Sequence, residues 1–294
     1  MAAPFDDRDG SIWYDGKLVP WRSAQVHMLT HALHYGSSVF EGLRVYGGQI
    51  FKLREHTLRL IKSGEILGFT TPFTPDQIDA ACRDVVKAQN IVDGYVRPLV
   101  WRGSEMMGVA AQQSKIHVAV AAWEWPSYFS PEARAKGIKM IISPWRRPAP
   151  DTAPVHAKAA GLYMICTLAK HQAEEQGAHD ALMYDYRGFL AEATGANMFL
   201  VMDGKLHTPT ADCFLNGITR LTIMDLARAR GIEVIERHIK PDELAKAQEV
   251  FLTGTAAEIT PVGQIAEYSF TPGRMTEQLT QDYTAATRGQ KAAA

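Results

Sequence analysis

Cysteine is scarce. The 294 residues include only Cys82, Cys166 and Cys213, far apart and without metal-like spacing. That count leaves no disulfide framework and fits reduced thiols buried in a cytoplasmic protein. Charge of one sign is also lacking. With 31 basic residues against 32 acidic ones and a net charge of −1, the chain has no electrostatic footprint for nucleic acid or an anionic membrane. Long apolar runs are missing: Val118-Ala119-Val120-Ala121-Ala122-Trp123 falls far short of the roughly twenty residues that a spanning helix needs. The start, Met1-Ala2-Ala3-Pro4-Phe5-Asp6-Asp7, is acidic and does not read as a secretory signal. No internal repeat is visible, and low complexity is confined to Ala292-Ala293-Ala294. What remains is 46% hydrophobic, the composition of a globular protein with a full core and the length for two ordinary domains or one large one.

Residues 38 to 53 read as a hairpin. Val39, Glu41, Leu43 and Val45 alternate with Phe40, Gly42 and Arg44, and Gly47-Gly48 supplies the turn before Ile50. A helix is predicted to start near Arg54. A second opens at Thr74-Pro75-Asp76-Gln77, where Thr74 caps, Pro75 suits the first turn and Gln77 completes a capping box. Its apolar face is Ile78, Ala81, Cys82, Val85 and Val86. Strands are expected over Tyr95 to Trp101 and Ile116 to Trp123. The stretch 125–135, with two prolines and two serines in its first half, reads as a linker between an N-terminal domain, 1–124, and a C-terminal one, 136–294. Beyond it come a strand at Met140-Ile141-Ile142 and a helix from Gly161 to Gln176 stopped by Gly177. Strands turned by Asp185-Tyr186-Arg187-Gly188 and Asp203-Gly204 follow, then a helix from Thr219 to Arg230 closed by Gly231. Short strands with few helices between them favour an α+β or barrel-like sheet over a doubly wound one.

Chemistry concentrates around Lys158, in Val155-His156-Ala157-Lys158-Ala159-Ala160-Gly161. An amine among such small residues leaves room for a planar ring, and a desolvated lysine forms a Schiff base with a carbonyl cofactor. Glu192, in Leu190-Ala191-Glu192-Ala193, can face a protonated ring nitrogen. The pair suggests pyridoxal 5′-phosphate. A phosphate needs backbone donors at a helix start or a nest, and two segments offer them: Asn216-Gly217-Ile218-Thr219, which leads into a helix, and Thr253-Gly254-Thr255-Ala256-Ala257, which follows a strand. Taken alone, glycine-threonine turns are mostly turns, and Arg59 is a solvated or salt-bridged arginine on a helix. His27, His31 and His34, four and three apart, are a competing zinc reading. No carboxylate ligand is obvious nearby.

The segment His31-Ala32-Leu33-His34-Tyr35-Gly36-Ser37-Ser38-Val39-Phe40-Glu41-Gly42-Leu43-Arg44 resembles the signature of branched-chain amino acid aminotransferases, which are fold-type IV pyridoxal-phosphate enzymes. The resemblance runs from about Ile12 to about Val262. It includes Tyr95-Val96-Arg97-Pro98, Met107-Gly108-Val109, Ala157-Lys158-Ala159, Asn216-Gly217-Ile218-Thr219-Arg220 and Gly254-Thr255-Ala256-Ala257-Glu258 in that order. It implies a two-domain α+β fold, with a smaller α/β N-terminal domain and a larger barrel-like C-terminal domain.

By the same resemblance Lys158 is the Schiff-base lysine and general acid/base, Glu192 faces the pyridine nitrogen, and Tyr163 partners the phenolic oxygen. Arg59, Gly217, Ile218, Thr219 and Thr255 form the phosphate cup. Thr255 and Ala256 resemble the backbone donors for the substrate α-carboxylate. Tyr35, Phe40, Gly42, Tyr95, Arg97, Val109, Trp125 and Tyr128 line up with the side-chain pocket. That pocket must accept leucine, isoleucine and valine, and also glutamate, whose γ-carboxylate Arg97 could pair. Tyr35 and the Met107-Gly108-Val109 loop resemble groups that reach a neighbouring subunit, so a homodimer or a larger homo-oligomer, up to a hexamer, is expected. Glu105-Met106 departs from the expected glycine-rich loop and bears on substrate range. The rivals are a D-amino acid aminotransferase, an (R)-amine transaminase and an aminodeoxychorismate lyase, all sharing the lysine, the glutamate and the phosphate cup. Tyr35, Phe40-Glu41-Gly42 and Tyr95-Val96-Arg97 separate the branched-chain enzyme from them.

Overall fold

In the computed structural model, which describes residues 4–125 and 136–289, the apolar alternation resolves into two sheets, each in its own compact unit. The first unit takes Met1–Pro126 with Ala157–Leu162, and the second takes Ser127–His156 with Tyr163–Ala294. Most of the 125–135 stretch read as a linker lies outside the described residues.

The first unit's sheet has seven antiparallel strands: β1 (Ser11–Tyr14), β2 (Lys17–Pro20), β3 (Ser38–Phe40), β4 (Leu43–Tyr46), β5 (Gln49–Ile50), β6 (Gly94–Arg102) and β7 (Ile116–Glu124). Their order is β2-β1-β7-β6-β4-β5, with β3 also on β6. Gly47 and Gly48, both at positive φ (56° and 78°), make the β4–β5 turn, the geometry a two-residue hairpin demands. The expected single strand through 39–45 is broken at Glu41-Gly42. Glu41 donates its N–H to the Pro98 carbonyl at 2.9 Å, but Pro98 has no N–H to return, so the ladder lapses there. Helix α1 (His31–Tyr35) is short; α2 (Leu53–Ile66) and α3 (Pro75–Ala88) are longer. The predicted capping box opens α3, with Thr74 Oγ1 accepting from Gln77 N–H and Gln77 Oε1 from Thr74 N–H. Ile78, Ala81, Cys82, Val85 and Val86 are buried with Leu43, Val96, Val118 and Val120. Full burial of each valine or isoleucine contributes about 1.5–3 kcal/mol. Ala157 and Ala159, on either side of Lys158, belong to the same core.

The second unit holds β8 (Ile138–Ile142), β9 (Asp180–Tyr184), β10 (Leu190–Ala193), β11 (Asn197–Met202), β12 (Lys205–Pro209), β13 (Val234–Arg237), β14 (Glu249–Gly254), β15 (Glu258–Ile265) and β16 (Tyr268–Ser269). Six of them close on themselves in the order β10-β9-β8-β15-β14-β11, the ring completed where Glu192 pairs with Asn197. This is the expected barrel; Met140, Leu182, Met198, Leu200, Leu252 and Val262 fill its core. The helix expected from Gly161 divides into a 3-10 turn, Ala160–Tyr163, and α4 (Met164–Glu175). The turn is set by Leu162 N–H bonding the Ala159 carbonyl, a three-residue step. Helices α5 (Ile218–Ala229) and α6 (Arg274–Thr287) belong to this unit as well. Gly177 at φ 68° and Gly231 at φ 75° sit just beyond the ends of α4 and α5, the left-handed stops expected of helix C-termini.

Candidate functional site

Lys158 is held through its backbone on both sides. Its carbonyl accepts from Phe40 N–H at 3.1 Å, and its own N–H donates to Ser63 Oγ on α2 at 3.0 Å. Val39 and Ala159 form an antiparallel bridge beside it. The half-buried side chain carries Nζ to 5.0 Å from the centroid of the Phe40 ring. The small neighbours therefore have a structural reason too: Ala157 and Ala159 are only 3% exposed, so larger side chains would not fit the core there.

The residue after Phe40 was assigned no role by sequence. Glu41 is fully buried, and a buried carboxylate must be paired. It accepts a fork from Arg59, Nε to Oε1 at 2.6 Å and Nη2 to Oε2 at 2.9 Å, and a further bond from His56 Nδ1 at 2.6 Å. Burial pushes the Glu41 carboxyl up, but Arg59 and His56 outweigh it and hold the group far below the usual carboxylate range. Burial pushes His56 the other way, downward, against the pull of Glu41. Arg59 is thus neither solvated nor loose. Its Nε/Nη2 edge is gripped, which fixes the plane of the guanidinium.

Phe40, Gly42, Tyr95, Arg97 and Trp125 are brought together. The Arg97 guanidinium lies 4.7 Å from the Phe40 centroid and 5.3 Å from that of Tyr95, while Tyr95 and Trp125 rings are 4.8 Å apart. A Cβ on Gly42 would meet the Tyr95 hydroxyl at 1.7 Å, so only glycine lets that ring approach. Arg97 Nη2 reaches the same hydroxyl at 3.3 Å, and its buried Nε has no hydrogen-bond partner among the described residues. A buried donor left unspent is costly, and a substrate carboxylate would satisfy it. Tyr128 lies outside the described residues.

Tyr35 and Val109 form a separate, exposed group in the same unit, Val109 being 87% exposed. His31 joins them: its ring stacks on Tyr35 at 4.5 Å, and its Nε2 lies 2.9 Å from the Gly108 carbonyl. The three histidines of the zinc reading are not assembled. His27 precedes α1 and accepts from Leu29 N–H, and His34 turns to the Met28 carbonyl. Glu105, the departure noted in the sequence, accepts from Lys115 N–H at 3.0 Å and so closes the base of this loop.

In the second unit, Glu192, Asn197 and Thr253 stand in register across β10, β11 and β14. Glu192 is buried, lies 3.3 Å from Arg147 Nε and accepts from Asn197 Nδ2 at 3.0 Å. Asn197 Oδ1 in turn accepts from Gly217 N–H at 3.1 Å. Gly217 is the N-cap of α5 and supplies no side-chain cap. Leu221 N–H is the first to bond back along the helix, so the amides of Ile218, Thr219 and Arg220 precede the ladder and favour an anion. Arg220, fully buried, fixes this end by bonding Thr208, Pro209 O, Asn216 and Glu236. Thr255 and Ala256 occupy the turn between β14 and β15. Gly254 lies against the Gly195–Ala196 backbone, and the buried Thr253 Oγ1 has no partner among the described residues. Tyr163 is half-buried at the start of α4.

Taken unit by unit, each holds groups that suit part of a phosphorylated ring cofactor. An uncapped helix end suits the phosphate, a buried carboxylate suits a ring cation, and a lysine stands beside an aromatic face. Sequence reasoning passed over Glu41, Arg147 and Asn197, which orient the groups that it named. Only Glu41 left a signal, a charged residue at an inward-facing position of an alternating strand. A further acidic cluster, Asp185, Asp212 and Cys213, is already met by the Arg187 guanidinium, which bonds both aspartates.

The chain matches the family described as amino-transferase class IV over residues 38–265. A branched-chain-amino-acid aminotransferase of Pseudomonas aeruginosa is 44% identical over 284 residues, covering 94% of this chain and 92% of that one. The crystal structure of the branched-chain amino acid aminotransferase of Escherichia coli superposes with a TM-score of 0.93 at 38% identity, covering 97% and 96% of the two chains. The crystal structure of the T.th. branched-chain amino acid aminotransferase, complexed with N-(5′-phosphopyridoxyl)-L-glutamate, gives a TM-score of 0.92 at 38% identity, with the same coverage.

Proposed function

This chain belongs to the class IV aminotransferases, and we propose that it is a pyridoxal-phosphate-dependent branched-chain-amino-acid transaminase. It moves the amino group of leucine, isoleucine or valine to 2-oxoglutarate, giving glutamate and a branched 2-oxo acid. The observation that carries this reading is the pocket of Phe40, Tyr95 and Trp125 around Arg97 with its unspent Nε donor. Aromatic faces receive an aliphatic side chain, and one half-buried cation receives a γ-carboxylate, so both halves of the exchange use one surface.

Pyridoxal phosphate, when bound, supplies the carbonyl that takes the amine and the ring that accepts the electron pair freed at the substrate Cα. Lys158 would hold the cofactor, and its Nζ would carry the Cα proton. Glu192, fixed by Asn197 and Arg147, would accept from the ring nitrogen and keep it protonated. Tyr163 would partner the phenolic oxygen. Arg59, Gly217, Ile218, Thr219 and Thr255 would hold the phosphate, and the amides of Thr255 and Ala256 would hold the α-carboxylate.

The protein works as a homodimer or larger homo-oligomer in which Tyr35 and Val109 complete a neighbour's pocket. Met28, Leu33, Tyr35, Met107 and Val109, all large and exposed, support that assembly, since burying them removes apolar surface from water. A cytoplasmic location is supported by three buried free thiols. Among the described residues no helix is long and apolar enough to cross a membrane.

Purified protein given leucine and 2-oxoglutarate should form glutamate, with isoleucine and valine also serving. Turnover of D-alanine or an (R)-amine, with no glutamate from the three branched L-amino acids, would overturn the substrate assignment.

A further inference from the structure

His31 is 4% exposed and makes contacts on three sides. Its Nε2 faces the Gly108 carbonyl at 2.9 Å and its Nδ1 faces Ser37 Oγ at 2.6 Å. A carbonyl only accepts, so Nε2 carries the proton and Nδ1 accepts from the serine hydroxyl. The ring's face lies on Tyr35, 4.5 Å between centroids and 25° from parallel. Its backbone N–H donates to the Gly103 carbonyl at 2.8 Å.

The loop that it touches is tied at its base, where Gly103 N–H bonds the Lys115 carbonyl and Glu105 accepts from Lys115 N–H, and on its return side, where the Ala111 carbonyl accepts from Arg102 Nη1 at 3.1 Å. Gly108 sits at φ 117° with nothing within 4 Å of a Cβ position. Its neighbours Met107 and Val109 are 48% and 87% exposed. One imidazole therefore pins the exposed tip of the loop, between the buried ends at Gly103 and Ala111, and it sets the plane of Tyr35 with its face.

We propose that His31 is a positioning residue for substrate selectivity acting across the subunit boundary, by locking Val109 and Tyr35 together in the arrangement presented to the neighbouring subunit's pocket. This rests on the shared-pocket reading above. A histidine suits the position because its ring donates at one edge, accepts at the other and offers a flat face; no aliphatic side chain does all three.

Two doubly tagged hybrids test it, co-expressed and purified through both tags. In the first, a Lys158→Ala subunit joins a His31→Ala subunit, so the working lysine faces a loop with His31 intact. In the second, a wild-type subunit joins one carrying both substitutions, so the working lysine faces the loop that lacks it. The second should show a leucine KM raised about tenfold with kcat nearly unchanged, from loss of a hydrogen bond and a ring stack at the loop. The first should match a hybrid of wild type with Lys158→Ala. An equal defect in both hybrids, or a defect in the first alone, would make His31 merely structural and overturn the proposal. Val109→Asp in place of His31→Ala is the control. If its effect also follows the working lysine's own subunit, or if no hybrid forms, the shared-pocket reading itself has failed. Should His31→Ala not accumulate, Ser37→Ala removes only the Nδ1 partner and should shift KM in the same direction, about threefold. No shift in a folded Ser37→Ala hybrid would then count against the proposal.

Discussion

Lys158 presents its amine beside Phe40, and its part can be separated from that of Arg97 by what each substitution removes. Lys158→Ala should abolish glutamate formation by several orders of magnitude, since both the attachment point and the proton carrier go. Cofactor should be retained in part through the phosphate contacts. Appreciable turnover in that variant would remove Lys158 from the mechanism. Arg97→Leu should weaken 2-oxoglutarate and glutamate by about ten- to a hundredfold, because a buried carboxylate then lacks its partner. Leucine should be nearly spared. Half-reactions followed separately with leucine and glutamate decide it, and equal losses would make Arg97 structural. At this scale the sequence named the groups proposed to meet the cofactor and substrate but not those that aim them. Glu41, Arg147 and Asn197 act through contacts of 5 to 45 positions' separation, and single-residue chemistry gives no hint of such partners.

Elements were most legible where punctuation and periodicity agreed. The capping box at Thr74, the Gly47-Gly48 turn and the glycines after α4 and α5 all stand where local chemistry puts them. The break at Glu41-Gly42 was not legible, because its cause is a proline opposite on another strand, and the ring closure through Glu192 and Asn197 is likewise a pairing that no local pattern announces. The α5 start depends on one such non-local fit. A Cβ at Gly217 would fall 2.1 Å from Asn197 Oδ1, so Gly217→Ala should push the helix end away from β11. Cofactor should dissociate at least about tenfold faster, the equivalent of one or two lost hydrogen bonds. Adding Asn197→Ala should relieve the clash without restoring affinity, since the tether to Glu192 is lost as well. Stopped-flow release into a cofactor scavenger measures both, and an unchanged rate in Gly217→Ala would show that this end does not hold the phosphate.

For the whole molecule, Glu41 and His56 predict acid sensitivity. Both have folded-state pKa values below their ordinary ones of 4.5 and 6.5, so the unfolded chain binds more protons as pH falls. Stability from neutral His56 is then full above about pH 6.5 and drains below it; that from ionised Glu41 drains below about 4.5. The thermal midpoint should fall as pH drops from about 6.5, and the fall should be shallower in His56→Gln. An identical acid slope in that variant would remove His56 as a cause. A second whole-molecule expectation is that activity per subunit declines on dilution as the oligomer dissociates. Light scattering beside activity checks it, and a fully active species of the 32.5 kDa chain mass would refute a shared pocket.

The membership of Ala157–Leu162 in the first unit has a consequence for how the chain is born. A ribosome that has released residues 1–126 has not yet made Ala159, the partner of Val39, nor the Lys158 carbonyl that Phe40 bonds. The first core cannot finish as an N-terminal autonomous event; it waits for a segment that emerges later, after β8 has been made. Completion of that core and arrival of the reactive amine are therefore one event in time. A truncated nascent chain stopped short of residue 157 should remain protease-sensitive, and one extended past 162 should gain protection.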